Sequence, residues 1–389
     1  MDITARPPIF TRQVVLLFLA AFGAMTSFYL LLSVVPLYVV AGGAGDVGAG
    51  LATGAMMLAT VLAELVVPWG LVRFGYRGVL GAGLVLLGGT APVLLIGPAL
   101  PLVLVVCLAR GAGLAIVVVA GTALAAELIP VQRRGEGLGL YGVAVGVPAA
   151  IGLPVGLWLT EHVGFGSVFL ASAVVGVAML LAVVGLPGAA VDSSGGSTDQ
   201  HSGGVLGGLR TAGVRRPTVI FTATTVAAGV LVTFLPLAAG STEVAAAALL
   251  VQSCVAPLAR WVAGRFGDRH GSGALLLPAS ALAAAGIAAL FWVPDPAVTI
   301  LGAVVFGIGF GIAQNVTLAL MLERVPTAEF GRTSALWNLA YDAGMGIGAV
   351  GFGLLVAPFG YPVSFAVTAA VLALALVPAW RDAVVRKER

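Results

Sequence analysis

Residues 264–271 read Gly-Arg-Phe-Gly-Asp-Arg-His-Gly, and residues 68–75, 196 positions earlier, read Pro-Trp-Gly-Leu-Val-Arg-Phe-Gly. The same offset pairs Gly111 with Gly307, Gly113 with Gly309, Glu127 with Glu323, Pro130 with Pro326, Gly135 with Gly331, Tyr141 with Trp337 and Gly152 with Gly348. One spacing kept through several helices and their loops marks two similar halves joined head to tail. Internal symmetry of this kind points to a membrane transport scaffold.

Composition agrees. Hydrophobic residues make up 60% of the chain and charged residues 9%, with a mean hydropathy of +1.11. A soluble domain carries about 25% charged residues, so this chain belongs in a lipid bilayer and offers no basic surface for nucleic acid. Cys107 and Cys254 both lie in apolar stretches and read as small buried hydrophobes rather than a disulfide. The first apolar run, from Val14, is too long for the core of a cleavable signal peptide. His162, His201 and His270 form no metal-ligand spacing and sit beside no nucleophile, and no phosphate-binding loop is present. An enzyme, a metal site, a cofactor and ATP-driven pumping are all unexpected.

A spanning helix needs roughly 20 apolar residues, and twelve such runs are legible: about 13–40, 48–72, 79–97, 100–127, 137–160, 167–187, 217–239, 244–264, 274–293, 297–322, 333–357 and 362–380. The breaks are short except at 188–216, which contains Asp192-Ser193-Ser194-Gly195-Gly196-Ser197 and reads as a flexible tether. The expected organisation is a six-helix half at 1–187, a linker at 188–216 and a second six-helix half at 217–389. With a cytoplasmic N-terminus, 17 of the 19 Lys and Arg fall on inner loops and tails and none on outer loops, which carry Asp46, Glu161, Glu243 and Asp295. The positive-inside rule therefore sets both termini in the cytoplasm.

The twelve spans, the repeat and the long central loop resemble the major facilitator superfamily. The superfamily's signature between the second and third helix of each half is roughly G-x-x-x-D-R-x-G. It is intact as Gly264, Asp268, Arg269 and Gly271, whereas the N-terminal copy keeps Arg73, Gly75 and Arg77 but has Pro68 for the first Gly and Val72 for the Asp. The resemblance implies a conformational-switch loop at these positions, and the missing acid puts the N-terminal lock in doubt. Span four carries the family's R-x-x-G as Arg110 and Gly113. Span five, with Gly142, Gly146, Pro148, Gly152, Pro154 and Gly156, looks like the Gly/Pro-rich motif of drug–proton antiporters. Gly at intervals of four lets helices approach closely, and Pro bends them.

Ionisable groups inside a span are costly and tend to be functional. Glu64 in span two and Asp342 in span eleven lie about 12 Å from the cytoplasmic ends of their helices at 1.5 Å per residue. In the resembled family these helices face each other, and two carboxylates in a dry site do not both ionise easily. They are candidate proton carriers; the other reading pairs each with a base or places it at a cytoplasmic cavity. Arg110 in span four binds an anionic group, tunes a carboxylate's proton, or is a structural arginine bonded to carbonyls. Arg260 occupies the repeat position of Glu64, four residues before Gly264, and reads chiefly as an anchor for the signature loop. Glu127 and Glu323 read as partners of loop arginines such as Arg134 or Arg269, with a gating role as the alternative. Gln314, Asn315, Asn338 and Tyr341 are candidates to line the cavity, with Phe28, Tyr29 and Trp337 as packing aromatics.

The expectation is an all-α, twelve-helix secondary transporter of the plasma or inner membrane, working as a monomer by alternating access on a small, moderately hydrophobic solute, with protons as the coupling partner. Export is the first reading. A nutrient or metabolite symporter or facilitator is the alternative, and a non-transporting sensor the third.

Overall fold

The computed structural model describes residues 8–188 and 205–387; most of the linker read at 188–216 lies outside them. Among the described residues the chain is helical: α1 Arg12–Leu32, α2 Val34–Ala41, α3 Gly45–Leu84, α4 Leu100–Leu128, α5 Arg134–His162, α6 Phe165–Ala178, α7 Leu180–Val184, α8 Ala212–Ala238, α9 Thr242–His270, α10 Leu276–Ala289, α11 Pro296–Glu323, α12 Phe330–Leu374 and α13 Leu376–Lys387. Among the described residues ten helical runs are long and apolar enough to cross a membrane, and two of these, Gly45–Ile96 and Phe330–Arg381, are of double length. Each double run is broken by a glycine in the left-handed region, Gly75 at φ 65° and Gly360 at φ 74°. A side chain is strained at such angles, so the chain changes direction there, and counting each double run as two gives the twelve spans.

The repeat in the sequence is a repeat in the packing of each half. A methyl on Gly113 of α4 would lie 2.7 Å from Gly83 O of α3; one on Gly309 of α11 would lie 2.7 Å from Ala279 O of α10. Positions 83 and 279 are themselves repeat partners. Gly152 of α5 likewise presses on Tyr29 and Leu30 of α1, as Gly348 of α12 presses on Val226 of α8. Glycine at these sites lets two backbones meet, which stands in for the missing hydrophobic drive between helices in lipid. Helix starts follow local chemistry: Asp295 accepts from Val298 N at 2.9 Å ahead of Pro296, capping α11. Large apolar side chains face outward, with Ile96 78% and Leu181 82% exposed. Outside a bilayer such a surface would be an aggregation hazard.

Packing divides the chain into two compact units that do not coincide with the repeat boundary. Of the described residues, one holds 8–31 and 58–188, and the other holds Leu32–Met57 and 205–387. Within this second unit Ser33 donates to Val232 O at 2.8 Å, Thr233 to Thr53 at 3.1 Å, and Tyr361 OH to a carboxylate oxygen of Asp46. Bonds to α8 and to the break in α12 therefore hold the acidic-end portions of the first two spans.

Candidate functional site

Arg110 is the largest buried polar side chain of the first unit, 1% exposed. It sits on α4 opposite a π-helical turn, Val85–Gly89. Such a turn frees a carbonyl from the regular ladder, and Leu87 O accepts from Arg110 Nη1. Nη1 also reaches Ser172 Oγ on α6 at 3.3 Å, and Nη2 donates to Ser27 O on α1 at 2.9 Å. Ser172 Oγ in turn donates to Ser27 O at 2.9 Å. The guanidinium thus ties four helical segments through neutral oxygens. Of the roles open to Arg110 in the sequence, this geometry matches the structural one.

The signature loops are held differently in the two copies. Arg77 points two nitrogens, Nε at 3.2 Å and Nη2 at 2.7 Å, at Leu186 O beyond α7, fastening the N-terminal loop to the end of span six. Arg73 is exposed, as are Asp268, Arg269 and Gly271 in the C-terminal copy. One device is common to both. Tyr76 OH donates to Glu127, and Ser272 Oγ donates to Glu323 at 2.9 Å; both donor and acceptor are related by the repeat offset. The side chain of Arg134 lies outside the described residues; the donors seen on these glutamates are hydroxyls, because residues 76 and 272 follow the loop glycines and point back at the adjacent helix end. A second repeated pair exchanges its charges, Arg133–Glu136 at 2.8 Å against Arg332–Glu329.

Span five splits in two. Gly152 packs on Tyr29 and Leu30, and Gly156 on Leu30 O, whereas Gly142 and Gly146 have open space where a side chain would stand. Pro148 and Pro154 both lie inside α5.

Asp342 is 9% exposed in the middle of α12, and Glu64 is half-buried in α3; both are engaged by other groups. They belong to different packing units. The remaining candidates gather in the second unit. Arg260 Nη1 donates to Gln314 Oε1 at 3.3 Å, directed at α11. Asn315 Nδ2 would lie 3.2 Å from a methyl on Gly264, so it fills the contact between α9 and α11. Trp337 Nε1 donates to Thr317 Oγ1 at 3.1 Å. Tyr341 is half-buried with its ring 6.2 Å from those of Phe310 and Trp337, and Asn338 is half-buried one turn before Asp342. Among the described residues no cluster of His, Cys, Asp or Glu fits a metal ion.

A model of the Major Facilitator Superfamily matches residues 17–349 and again 241–389. The chain belongs to that superfamily. The second match begins within the C-terminal repeat. Solved structures of superfamily-like fold align over nearly the whole chain. The nucleoside transporter NupG is 12% identical, covering 96% of this chain and 99% of its own, with a TM-score of 0.75. A bacterial homologue of the human lysosomal transporter Spinster is 14% identical, covering 97% and 98%, TM-score 0.78. The xylose transporter XylE from E. coli is 14% identical, covering 95% and 98%, TM-score 0.75. No curated relative matches the sequence. At these identities the structures share the fold and nothing finer. As a superfamily member the chain is a multi-pass membrane protein and a secondary transporter, not an enzyme.

Sequence reasoning missed the direction of Arg260. Its partner Gln314 is 54 residues away on another helix, and spacing along α9 ties Arg260 equally well to Gly264. The available signal was the repeat itself, which sets a cation in one half against Glu64 in the other.

Proposed function

We propose that this superfamily member exports a small, moderately hydrophobic organic solute in exchange for protons, as a monomer in the plasma or inner membrane. Alternating access of the repeat halves 1–187 and 217–389 would carry the solute. The observation that supports this reading is Asp342, a carboxylate 9% exposed in mid-span. An ionisable group within a span costs about 2.5–3.5 kcal/mol on insertion scales, and such residues mark proton relays in transporters. Glu64, at similar depth in α3, is the second carrier. The open sides of Gly142 and Gly146 in α5 and the likeness of that span to the antiporter motif support exchange.

The test uses inside-out vesicles with an imposed pH gradient and a solute chosen by a thermal-shift screen of the purified protein. Accumulation only when the lumen is acid supports antiport; accumulation indifferent to pH rules out the coupling. In Asp342→Asn, gradient-driven accumulation is expected to fall to background while solute exchange without a gradient persists.

A further inference from the structure

Along α9 the face repeating every three or four residues carries Ser253, Ala256, Arg260, Ala263 and Gly264. Ser253, Ala256 and Ala263 are 9%, 7% and 2% exposed, while Leu258, Trp261 and Val262 on the other side are all more than half exposed. The outer side is the lipid side; the first face is the protein side. Of its five residues Arg260 is the exposed one. Its side chain is therefore accessible and directed at α11.

Arg260 on α9 donates to Gln314 Oε1 on α11, and Phe310, one turn before Gln314, has its ring 6.2 Å from that of Tyr341 on α12. Tyr341 backs onto an aromatic group: Phe221 at 6.0 Å and Phe310 at 6.2 Å between ring centres, with Phe221 stacked on Trp337 at 4.4 Å. The bond from Trp337 to Thr317 pins the last ring.

A guanidinium carries five N–H donors in a planar fork matched to an oxyanion. A 3.3 Å bond to a neutral amide uses one donor and neutralises no charge, and an arginine in a span sits there at a cost unless an anion offsets it. Gln314 spends its oxygen on Arg260 and keeps its NH2 for an acceptor. Arg110 differs in every respect: it is sealed and committed to protein oxygens. We propose that Arg260, Gln314 and Tyr341 form a recognition site for an organic oxyanion, a carboxylate or sulfonate on an apolar, aromatic-sized body. Arg260 takes the anionic group, Gln314 sets the fork and Tyr341 walls the body. This deepens the proposed function, resting on its reading of an organic solute and narrowing the class.

The test is binding to the purified full-length protein in detergent, with no gradient. The probes are 1-naphthoate and 1-naphthalenesulfonate against 1-naphthamide, which keeps the ring and lacks the charge. Binding to the native state raises the apparent melting temperature. At least one anion is expected to raise it and the amide is not. Arg260→Gln should weaken anion binding at least about ten-fold, with partial retention in Arg260→Lys. Gln314→Glu should do the same with the arginine intact, because a built-in carboxylate then occupies the fork. Arg265→Gln, whose native guanidinium lies 4.0 Å over Trp261 on the lipid side, should bind as the parent does. If Arg260→Gln fails to fold, Gln314→Glu and Arg260→Lys decide. The proposal is overturned if neither anion binds, if the amide binds as well, or if Gln314→Glu and the Arg260 variants leave affinity unchanged. Loss of proton-driven transport would leave the site standing, and proton-driven movement of neutral solutes without anion binding would remove the site alone.

Discussion

Two arginines within spans illustrate how a residue's surroundings decide its work. Arg110 has buried carbonyl and hydroxyl partners on three neighbouring segments, so removing its side chain takes the donor from Leu87 O and leaves a cavity, while Ser27 O keeps Ser172 Oγ. Each unsatisfied buried polar group costs about 1–3 kcal/mol. Arg110→Ala is therefore expected to lower stability by about 3 kcal/mol or more, seen as a lower melting temperature in detergent and poor recovery of monodisperse protein. Arg110→Lys keeps the charge but loses the fork, and should be intermediate. A lysine variant of full stability that no longer bound solute would show Arg110 to be a ligand instead. That both arginines are intramembrane was plain from the sequence. Their different surroundings were not, because Leu87, Ser27 and Ser172 come from distant segments and so does Gln314.

At the level of helices, the repeat specifies contacts. Glycines that press on a neighbouring backbone should not tolerate a methyl, while glycines with open space should. Gly113→Ala and Gly309→Ala, each 2.7 Å from a carbonyl oxygen, are expected to cost about 1–3 kcal/mol by overpacking. Gly142→Ala and Gly146→Ala, with nothing nearby, should leave melting temperature within a degree or two of the parent. Equal effects of all four on melting would show that helix contact does not govern these glycines. The loop ties give a second comparison. Tyr76→Phe and Ser272→Ala each delete one hydroxyl bonded to a glutamate, worth about 1 kcal/mol. Lying in different units, they should act additively in the double variant. The positions of these helices, their breaks at Gly75 and Gly360, and the matched pairs were legible in hydropathy and glycine placement. The hydroxyl partners of Glu127 and Glu323 were not, since a loop rich in arginine suggests ion pairs first.

On the scale of the whole molecule, the acidic-end portions of the first two spans pack with the C-terminal repeat. Ser33 and Thr53 bond to Val232 and Thr233 within one unit. The proposed alternating access requires such bonds to break in each cycle. Cysteines placed at Thr53 and Thr233, where the hydroxyls are 3.1 Å apart, should form an oxidisable pair that halts solute flux, with flux restored by reductant. Undiminished flux in the fully oxidised pair would mean that this contact stays closed throughout transport. The sequence by itself determined the membrane class, the twelve spans, the duplication and the superfamily signature, because hydropathy, charge bias and a fixed offset are written along the chain. Only the tertiary structure decided which arginine is sealed and which is open, and that Leu32–Met57 joins the other half. Those outcomes depend on which surfaces bury one another across long separations, and no local spacing encodes that.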